Sequence, residues 1–242
     1  MHTVLMEDRI HVAVDALILT EREGGLHVLL SRRGHEPCRG RWALPGRLLE
    51  KEESAGQAME KLLAEMLPVE RAYCEQLYTF TCTERDPRGR VISIAYLVIV
   101  PWEQLRPALE RSDVTLECFR TAVQEGNVLL TSGDGELLPL DELAFDHGEI
   151  VTAGINRLRG KIEYTDIGFR FLNTPQAFSL GEMQRIFTAV LGKGHDASNF
   201  RRFVLSRYEA SGQIRQTENT EKKGRGRPAA LYCWMKQGGS AT

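Results

Sequence analysis

Two periodicities of apolar residues divide the chain. In the first half, apolar runs at residues 10–19, 26–30, 76–81 and 91–100 are bounded by turn-forming stretches such as "EREGG" and "RDPRGR", which predicts β-strands. Residues 54–67 differ, because their apolar positions recur at helical spacing: Ala55, Met59, Leu62, Leu63, Met66 and Leu67. Strands with a helix packed on them predict an α/β or α+β domain.

The second half is predicted to be mostly helical. Ser179 and Glu182 have the spacing of a capping box, and an apolar stripe of period 3.6 follows them. After "GKG", Asp196 can cap a second helix. Residues 214–217 and 230–234 are then predicted to pair as a hairpin, with "KKGRGRP" (222–228) near its tip. Helix, turn, helix and basic hairpin is the order of a winged helix.

Charge separates the same two halves. Residues 1–150 carry 16 basic and 26 acidic side chains, whereas residues 151–242 carry 15 basic and 7 acidic ones. Opposite charges predict two domains with different partners, and a basic unit of this size fits a nucleic-acid-binding module. We therefore place the domains at residues 1–150 and 151–242. Random variation of surface charge is the alternative explanation.

Composition limits the class of protein. The longest apolar run, residues 91–100, is too short to span a membrane and suits a buried strand. The N-terminus lacks the pattern of a signal peptide. The five cysteines are odd in number, widely spaced and without a CxxC pair, which argues against a disulfide framework or a zinc site. We expect a cytoplasmic protein that does not bind membranes.

Residues 40–69, "GRWALPGRLLEKEESAGQAMEKLLAEMLPV", resemble the box of the Nudix hydrolases, G-x5-E-x7-R-E-U-x-E-E-x-G-U, where U is apolar. Aligned on "WALPG", the box glycine falls on Arg47 and its first glutamate on Glu53. In the intact box, carboxylates at i, i+3 and i+4 share a helical face and hold a divalent cation. Those positions are Leu62, Glu65 and Met66 here. We therefore predict no catalytic residues, no metal site and no required cofactor.

Arginines are concentrated before and within this segment. Their planar guanidinium groups suit phosphate oxygens, so a diphosphate ligand is one interpretation, and solvated surface arginines are the other. With the remaining box carboxylate, the predicted ligand-binding residues are Arg32, Arg33, Arg39, Arg41, Arg47 and Glu65.

The order of several short segments is more specific than any one motif. Taken together, they resemble the Nudix-related transcriptional regulators of NAD metabolism, the NrtR family, over about residues 8–235. The segments are "RRGHEPCRGRWALPG", "EQLYTF", "RDPRGRVISIAY", "LAFDH", "LRGKIEYT", "NFRR" and "RGRPAALY". The resemblance implies an α+β chain in which a Nudix-type α/β/α sandwich precedes a C-terminal winged helix-turn-helix domain.

The same resemblance implies a function. Members are homodimeric bacterial repressors, and their Nudix domain, often without hydrolytic activity, senses a NAD-related nucleotide such as ADP-ribose. Binding of that effector releases the double-stranded DNA operator. Arg47 and Cys38 depart from the glycine and phenylalanine that are usual in the family.

Two groups of residues are predicted to contact DNA. The second helix of a winged helix enters the major groove, where arginine pairs with guanine and asparagine with adenine. The core of the basic hairpin resembles an AT-hook, whose arginines enter a narrow minor groove, although a disordered basic loop is the alternative. The predicted DNA-binding residues are Ser198, Asn199, Arg201, Arg202, Lys222, Lys223, Arg225 and Arg227.

Two other functions stay open at this point. One is a hydrolase of ADP-ribose or another nucleoside diphosphate derivative with a rearranged metal site. The other is a structural nucleic-acid-binding protein without an effector.

Overall fold

A mixed β-sheet forms the centre of the N-terminal part. The computed structural model describes residues 9–67, 72–110, 115–221 and 228–235. The strands of this sheet are β1 His11–Arg22, β2 Gly25–Arg32, β3 Trp42–Ala43, β4 Gly46–Leu48, β5 Tyr73–Phe80, β6 Val91–Ile99, β7 Leu116–Gln124, β8 Asn127–Thr131 and β9 Leu137–Leu138. Their order is β5-β6-β1-β2-β7-β8-β9, with β3 paired to β2 and β4 to β1.

The strands β1 and β6 lie side by side and parallel, whereas the other pairs are antiparallel. Both strands are buried on two faces, which explains why their sequences are almost continuously apolar. The predicted strands in the first half are confirmed. The hairpin between β1 and β2 turns at Glu23 and Gly24, whose φ angles of 53° and 73° are left-handed.

Helices cover both faces of the sheet. On one face, α1 (Ala55–Met66) and α2 (Trp102–Leu109) bury apolar side chains against Val14, Ile18 and Val98. On the other face, α3 (His147–Lys161) packs against a second apolar cluster. The expected α/β/α sandwich is therefore confirmed. The capping box at the start of α1 is formed by Ser54 and Gln57, each of which accepts from the other's backbone amide.

The helix α3 spans the predicted domain boundary. Residues 150 and 151 lie in its first turns, so a division at this point would cut a continuous helix. The boundary stays a prediction, and the structure adds that α3 belongs by packing to the sheet. Gly154 permits this packing, because a Cβ atom there would lie 2.0 Å from Leu17 Cδ2.

The C-terminal part is a winged helix. A 3₁₀-helix, Ile167–Phe171, and a short one at Leu140–Glu142 flank α3. The remaining elements are β10 Phe178–Ser179, α4 Leu180–Leu191, α5 Ala197–Val204, a π-helical turn Leu205–Glu209, β11 Ile214–Glu221 and β12 Ala229–Trp234. The strands form a sheet of order β10-β12-β11. The predicted helix, turn, helix and hairpin are confirmed.

Local signals explain both helices of this unit. Ser179 Oγ accepts from the amide of Glu182, and Asp196 Oδ1 accepts from the amide of Asn199, so each helix has the predicted N-cap. The stripe of α4 is buried, and α4 ends at Gly192 with φ 68°. This left-handed conformation at the end of a helix favours glycine.

Polar contacts join the winged helix to the edge of the large sheet. Arg170 lies between two rings, 5.0 Å from the centroid of Tyr73 in β5 and 4.5 Å from that of Trp234 in β12. Lys161, at the end of α3, binds Glu75 of β5 at 2.7 Å. Arg159 donates to the carbonyl of Val190 in α4. The last turns of α3 therefore touch both parts of the chain.

Within the part of the chain that the structure describes, no helix has the length and apolarity needed to cross a lipid bilayer.

The close contact of α3 with β1 leads to a first prediction. Gly154→Ala should destabilise the protein by about 1–3 kcal/mol relative to Gly160→Ala, because only Gly154 faces packed side chains. Gly160 lies on the exposed side of the same helix with nothing within 4 Å of an added Cβ. Both changes gain the same helix propensity, of about 1 kcal/mol, so the comparison isolates packing. Urea unfolding of the two variants measures the difference, and equal midpoints would contradict the packing account.

Candidate functional site

A cleft lined by charged side chains opens beside the parallel pair β1 and β6. It has a volume of about 200 Å³. Strand β1, the segment between β3 and β4, the loop before β6 and the start of α3 all contribute to its walls. Its charged or titratable lining includes Asp15, Arg33, Arg47, Arg85, Asp86, Arg88 and His147.

Arg85 is at the centre of a buried ionic network. Its Nε and Nη2 donate to the two carboxylate oxygens of Asp146 at 2.9 and 2.7 Å. Nη2 also donates to Asp15 Oδ2 at 3.2 Å, and the hydroxyl of Ser93 donates to the same oxygen. All three charged side chains are less than a tenth exposed. Burial alone would lower the pKa of Arg85, but the bonds to Asp146 and the charge of Asp15 raise it, so the cation is retained.

His147 joins the network as a neutral ring. The amide of Leu44 donates to its Nδ1 at 2.8 Å, so the proton of the neutral form lies on Nε2, 3.6 Å from Asp15 Oδ1. Complete burial lowers the pKa of His147, which outweighs the opposite effect of Asp15. The hydrogen bond fixes the "WALPG" segment to the start of α3, and the amide of Ala144 donates to the carbonyl of Trp42 nearby.

The chain is strained where it enters α3. Phe145 has φ 56°, a left-handed conformation that costs a bulky residue about 1–2 kcal/mol. Asp146 occupies the N-cap position of α3, but its side chain does not cap the helix. Its φ and ψ of −96° and 22° also lie outside the extended region that capping residues normally adopt. The carboxylate is instead held by Arg85.

A second bidentate pair lines the cleft. Arg88 Nε and Nη2 donate to the two carboxylate oxygens of Asp86 at 3.0 and 2.7 Å. Burial opposes ionisation of Asp86, but the bonds from Arg88 prevail and lower its pKa. Unlike Asp146, Asp86 lies in the loop before β6 and is not attached to a helix.

Arg33 differs from these arginines. Its Nε donates to the carbonyl of Pro37 at 2.8 Å, and its guanidinium lies 4.7 Å from the ring centroid of Phe145. Partial burial lowers the pKa of Arg33. Among the described residues, its side chain forms no ion pair with a carboxylate, so Arg33 can bind an anionic ligand without first releasing a protein carboxylate.

In the segment that resembles the Nudix box, the structure shows where the aligned side chains lie, and the absence of a metal site stays a prediction. Leu62 is buried and Met66 packs against the same apolar cluster, while Glu65 lies on the exposed side of α1. Glu53 accepts from Arg47 at 3.3 Å, from the Glu50 amide at 3.1 Å and lies 2.8 Å from Lys61 Nζ. The hydrogen bond with Lys61 lowers the pKa of Glu53. The negative charge of Glu53 is thus already offset by Arg47 and Lys61. Among the described residues, no cluster of potential metal ligands occurs.

The structure separates the predicted ligand-binding residues. Arg33 and Arg47 line the cleft, whereas Arg32 and Arg41 line a different groove beside Trp42 and Phe119. Neighbouring residues at the end of a strand point to opposite sides, which explains the separation of Arg32 from Arg33. Arg39 and Glu65 are exposed and line neither. The roles of all six residues stay predictions.

Sequence reasoning missed most of the buried network. The sequence predicts only a turn at residues 85–88 and assigns no role to Asp146 and His147. Their one signal was their presence in "RDPRGR" and "LAFDH", two segments on which the family resemblance rests.

The exposed face of α5 carries the residues predicted to read bases. Ser198, Asn199, Arg201 and Arg202 are exposed, while Phe200 and Val204 are buried on the opposite side. Arg202 donates to Asn199 Oδ1 at 2.8 Å, so these two side chains are already oriented together. Lys222, Lys223, Arg225 and Arg227 lie outside the described residues, and their role stays a prediction.

Comparison with known proteins finds two family models. The model of the NUDIX domain matches residues 9–143, and the model of the NrtR DNA-binding winged helix domain matches residues 168–234. The first match covers more than half of the chain.

Three relatives illustrate these matches. The "ADPR responsive transcriptional repressor NtrR" of Acinetobacter baylyi is 29% identical over 232 residues, which cover 93% of this chain and 82% of the relative. The ADP-ribose pyrophosphatase of Methanocaldococcus jannaschii is 29% identical over 140 residues, 58% of this chain and 70% of the enzyme. The crystal structure of Shewanella oneidensis NrtR complexed with a 27mer DNA is 29% identical, with a TM-score of 0.71 and coverage of 92% and 93%.

The buried His147 leads to a prediction about pH. Because its pKa is lowered in the folded chain, the unfolded chain binds more protons just below the ordinary pKa of about 6.5. The free energy of unfolding should therefore fall as pH decreases from about 6.5 toward the folded pKa, by at most about 1.4 kcal/mol per pH unit for this group.

His147→Gln provides the control, because glutamine can accept from the Leu44 amide but gains no proton. Its free energy of unfolding should depend less steeply on pH in that range, as measured by urea unfolding at each pH. An unchanged slope, or an NMR titration with His147 charged at pH 6.5, would contradict the neutral ring.

Proposed function

Because the chain belongs to the Nudix domain family and carries an NrtR DNA-binding winged helix domain, we propose that it is a transcriptional repressor that releases DNA when a NAD-derived nucleotide binds. One observation carries this proposal: a cleft lined by arginines and a winged helix with an exposed polar face are joined by the continuous helix α3. The Acinetobacter relative, named as an ADPR responsive repressor, supports ADP-ribose as the effector.

The cleft suits the diphosphate of such a nucleotide. Arg33 and Arg47 reach it from different elements, and arginine forks match phosphate oxygens. A volume of about 200 Å³ is smaller than the roughly 300–1,000 Å³ of typical ligand pockets, so it holds only part of a nucleotide. Phe145 also lines an adjacent apolar groove with Tyr78 and Phe80, where an aromatic base could stack.

The winged helix would read DNA through α5. In this class of domain the second helix enters the major groove, so the exposed residues of α5 would face the bases and the basic hairpin tip the minor groove. Two copies of α5 about 34–36 Å apart would span successive major grooves. We therefore propose a homodimer that binds a two-fold symmetric operator of genes for NAD metabolism. We propose that this repressor acts in the cytoplasm, because its cysteine pattern predicts a reducing compartment.

The effector cleft is proposed to bind without hydrolysis. Two of the three box positions are apolar, and Glu53 is paired with Arg47 and Lys61. The rival function is a Nudix-type hydrolase of ADP-ribose, which the match to an ADP-ribose pyrophosphatase favours. Magnesium-dependent turnover of ADP-ribose that Glu65→Gln abolishes would favour the hydrolase.

A gel shift tests the proposed function directly. The protein should retard a duplex from its own upstream region, and ADP-ribose should release it, because the effector favours the arrangement that does not bind DNA. Arg201→Ala with Arg202→Ala should weaken retardation of the operator more than that of an unrelated duplex, since a bidentate contact of an arginine with guanine contributes about 1–3 kcal/mol of discrimination. Retardation that ADP-ribose leaves unchanged, or no retardation at low salt, would overturn the repressor.

Arg33 and Arg32 provide a matched pair for the effector site. Arg33→Ala should weaken ADP-ribose binding by about 10- to 100-fold, because a hydrogen bond to a charged group contributes about 1.5–3 kcal/mol. Arg32→Ala removes the same charge one residue away, in the other groove, and should bind ADP-ribose like the wild type. Calorimetric titration measures both, and equal losses would place the effector elsewhere.

A further inference from the structure

We propose that the effector's phosphate groups and Asp146 compete for the guanidinium of Arg85, so that Asp146 is the positioning residue through which occupancy of the cleft reaches α3. The inference rests on the proposed function, because it requires an anionic effector in this cleft. It goes further by naming the contact that changes when the effector binds.

Arg85 belongs to the cleft and to the start of α3 at once. It lines the cleft, yet its Nε and Nη2 are occupied by the two carboxylate oxygens of Asp146. The same pair of donors is the one that best matches two oxygens of a phosphate. No hydrogen bond is assigned to Nη1 of Arg85 among the described residues, but a phosphate that binds through the Nε and Nη2 pair replaces Asp146 in at least one of these bonds.

Asp146 has another partner available when it leaves Arg85. It stands at the N-cap position of α3, where an aspartate side chain normally accepts from the second or third amide of the helix. To do so its backbone must move from φ −96°, ψ 22° toward the extended region. The pair with Arg85 thus holds Asp146 in a conformation that would change on release.

Phe145, the residue before Asp146, gives a separate reason to infer two conformations of this segment. Phe145 has a left-handed φ of 56° that is unfavourable for a large side chain. It also contacts the cleft, because the guanidinium of Arg33 lies 4.7 Å from its ring. The strained conformation persists while Asp146 is held by Arg85, and release of Asp146 allows the strain to relax.

A change of conformation at Phe145 and Asp146 can reach the winged helix through α3. Its first turn carries His147, which binds the Leu44 amide, and its last turns contact α4 through Arg159 and the carbonyl of Val190. Shifts of 1–2 Å in a helix at such an interface are a common form of switching. A small displacement of α3 therefore changes the position of α4 relative to the sheet.

The experiment measures the ratio of operator Kd values with and without saturating ADP-ribose for wild-type protein and for Asp146→Asn. Asparagine has nearly the same shape and can still cap a helix, but it does not neutralise Arg85. The wild-type ratio is expected in the range of about 5- to 150-fold that is usual for coupled sites, and the variant's ratio within about twofold of one. The variant should also bind ADP-ribose more tightly, which a merely structural role would not produce.

Asp86→Asn is the matched control. Asp86 forms an equivalent bidentate pair with Arg88 on the same cleft, but it is not attached to α3. Its ADP-ribose affinity is also expected to rise, whereas its ratio of operator Kd values should keep the wild-type value.

The outcomes separate the two proposals. A wild-type protein whose operator Kd ignores ADP-ribose would overturn the proposed function. If ADP-ribose changes the operator Kd of the wild type and of Asp146→Asn by the same ratio, the competition alone is overturned. The same holds if Asp86→Asn loses the response to ADP-ribose as completely as Asp146→Asn does. If thermal unfolding shows that Asp146→Asn does not fold, Asp146→Ser, which is uncharged and also able to cap, is measured against the same criteria.

Discussion

The guanidinium of Arg85 holds together parts of the fold that are distant in the chain. It binds Asp15 in β1 and Asp146 at the start of α3, and Asp15 in turn accepts from Ser93 in β6. The cation of Arg85 offsets the charges of both buried carboxylates, and removing one partner of a buried pair costs about 3–5 kcal/mol. The shape of the cleft and the position of α3 therefore depend on the same side chain.

Two other arginines of the cleft are also paired with carboxylates. Arg47 is paired with Glu50 and Glu53, and Arg88 with Asp86. Under the proposed function, a phosphate that takes the bonds of a paired arginine exchanges places with a protein carboxylate, whereas Arg33 can accept a phosphate without such an exchange. Because a ligand shifts an equilibrium only by its different affinity for two states, a cleft of unpaired arginines would bind tightly and signal little. The paired arrangement reduces affinity and makes a rearrangement part of binding.

The elements could be predicted from the sequence wherever their signals act within a few residues. The caps Ser179 and Asp196 and the apolar stripe of α4 are of this kind, as is the amphipathic α1. The arginines predicted to bind ligand lie in two different cavities, because apolar and basic patterns do not reveal on which side of β2 an arginine emerges. The Arg85–Asp146 pair joins two irregular segments 61 residues apart, where no periodicity exists to indicate a contact.

The helix α3 shows why charge alone was an incomplete guide to the domains. The charge changes sign near residue 150, where the sequence predicts a domain boundary, but the helix that crosses this position packs on the sheet and touches α4. At its far end, the polar contacts are a partly exposed ion pair with β5, Lys161 with Glu75, and the stacking of Arg170 on Tyr73 and Trp234, and one apolar cluster also contains residues of both units. Each of these polar contacts contributes about 0–1 kcal/mol, which does not exceed the coupling free energy of about 1–3 kcal/mol that is typical of allosteric ligands. The polar contacts therefore help to orient the winged helix, while the shared apolar cluster holds the two units together.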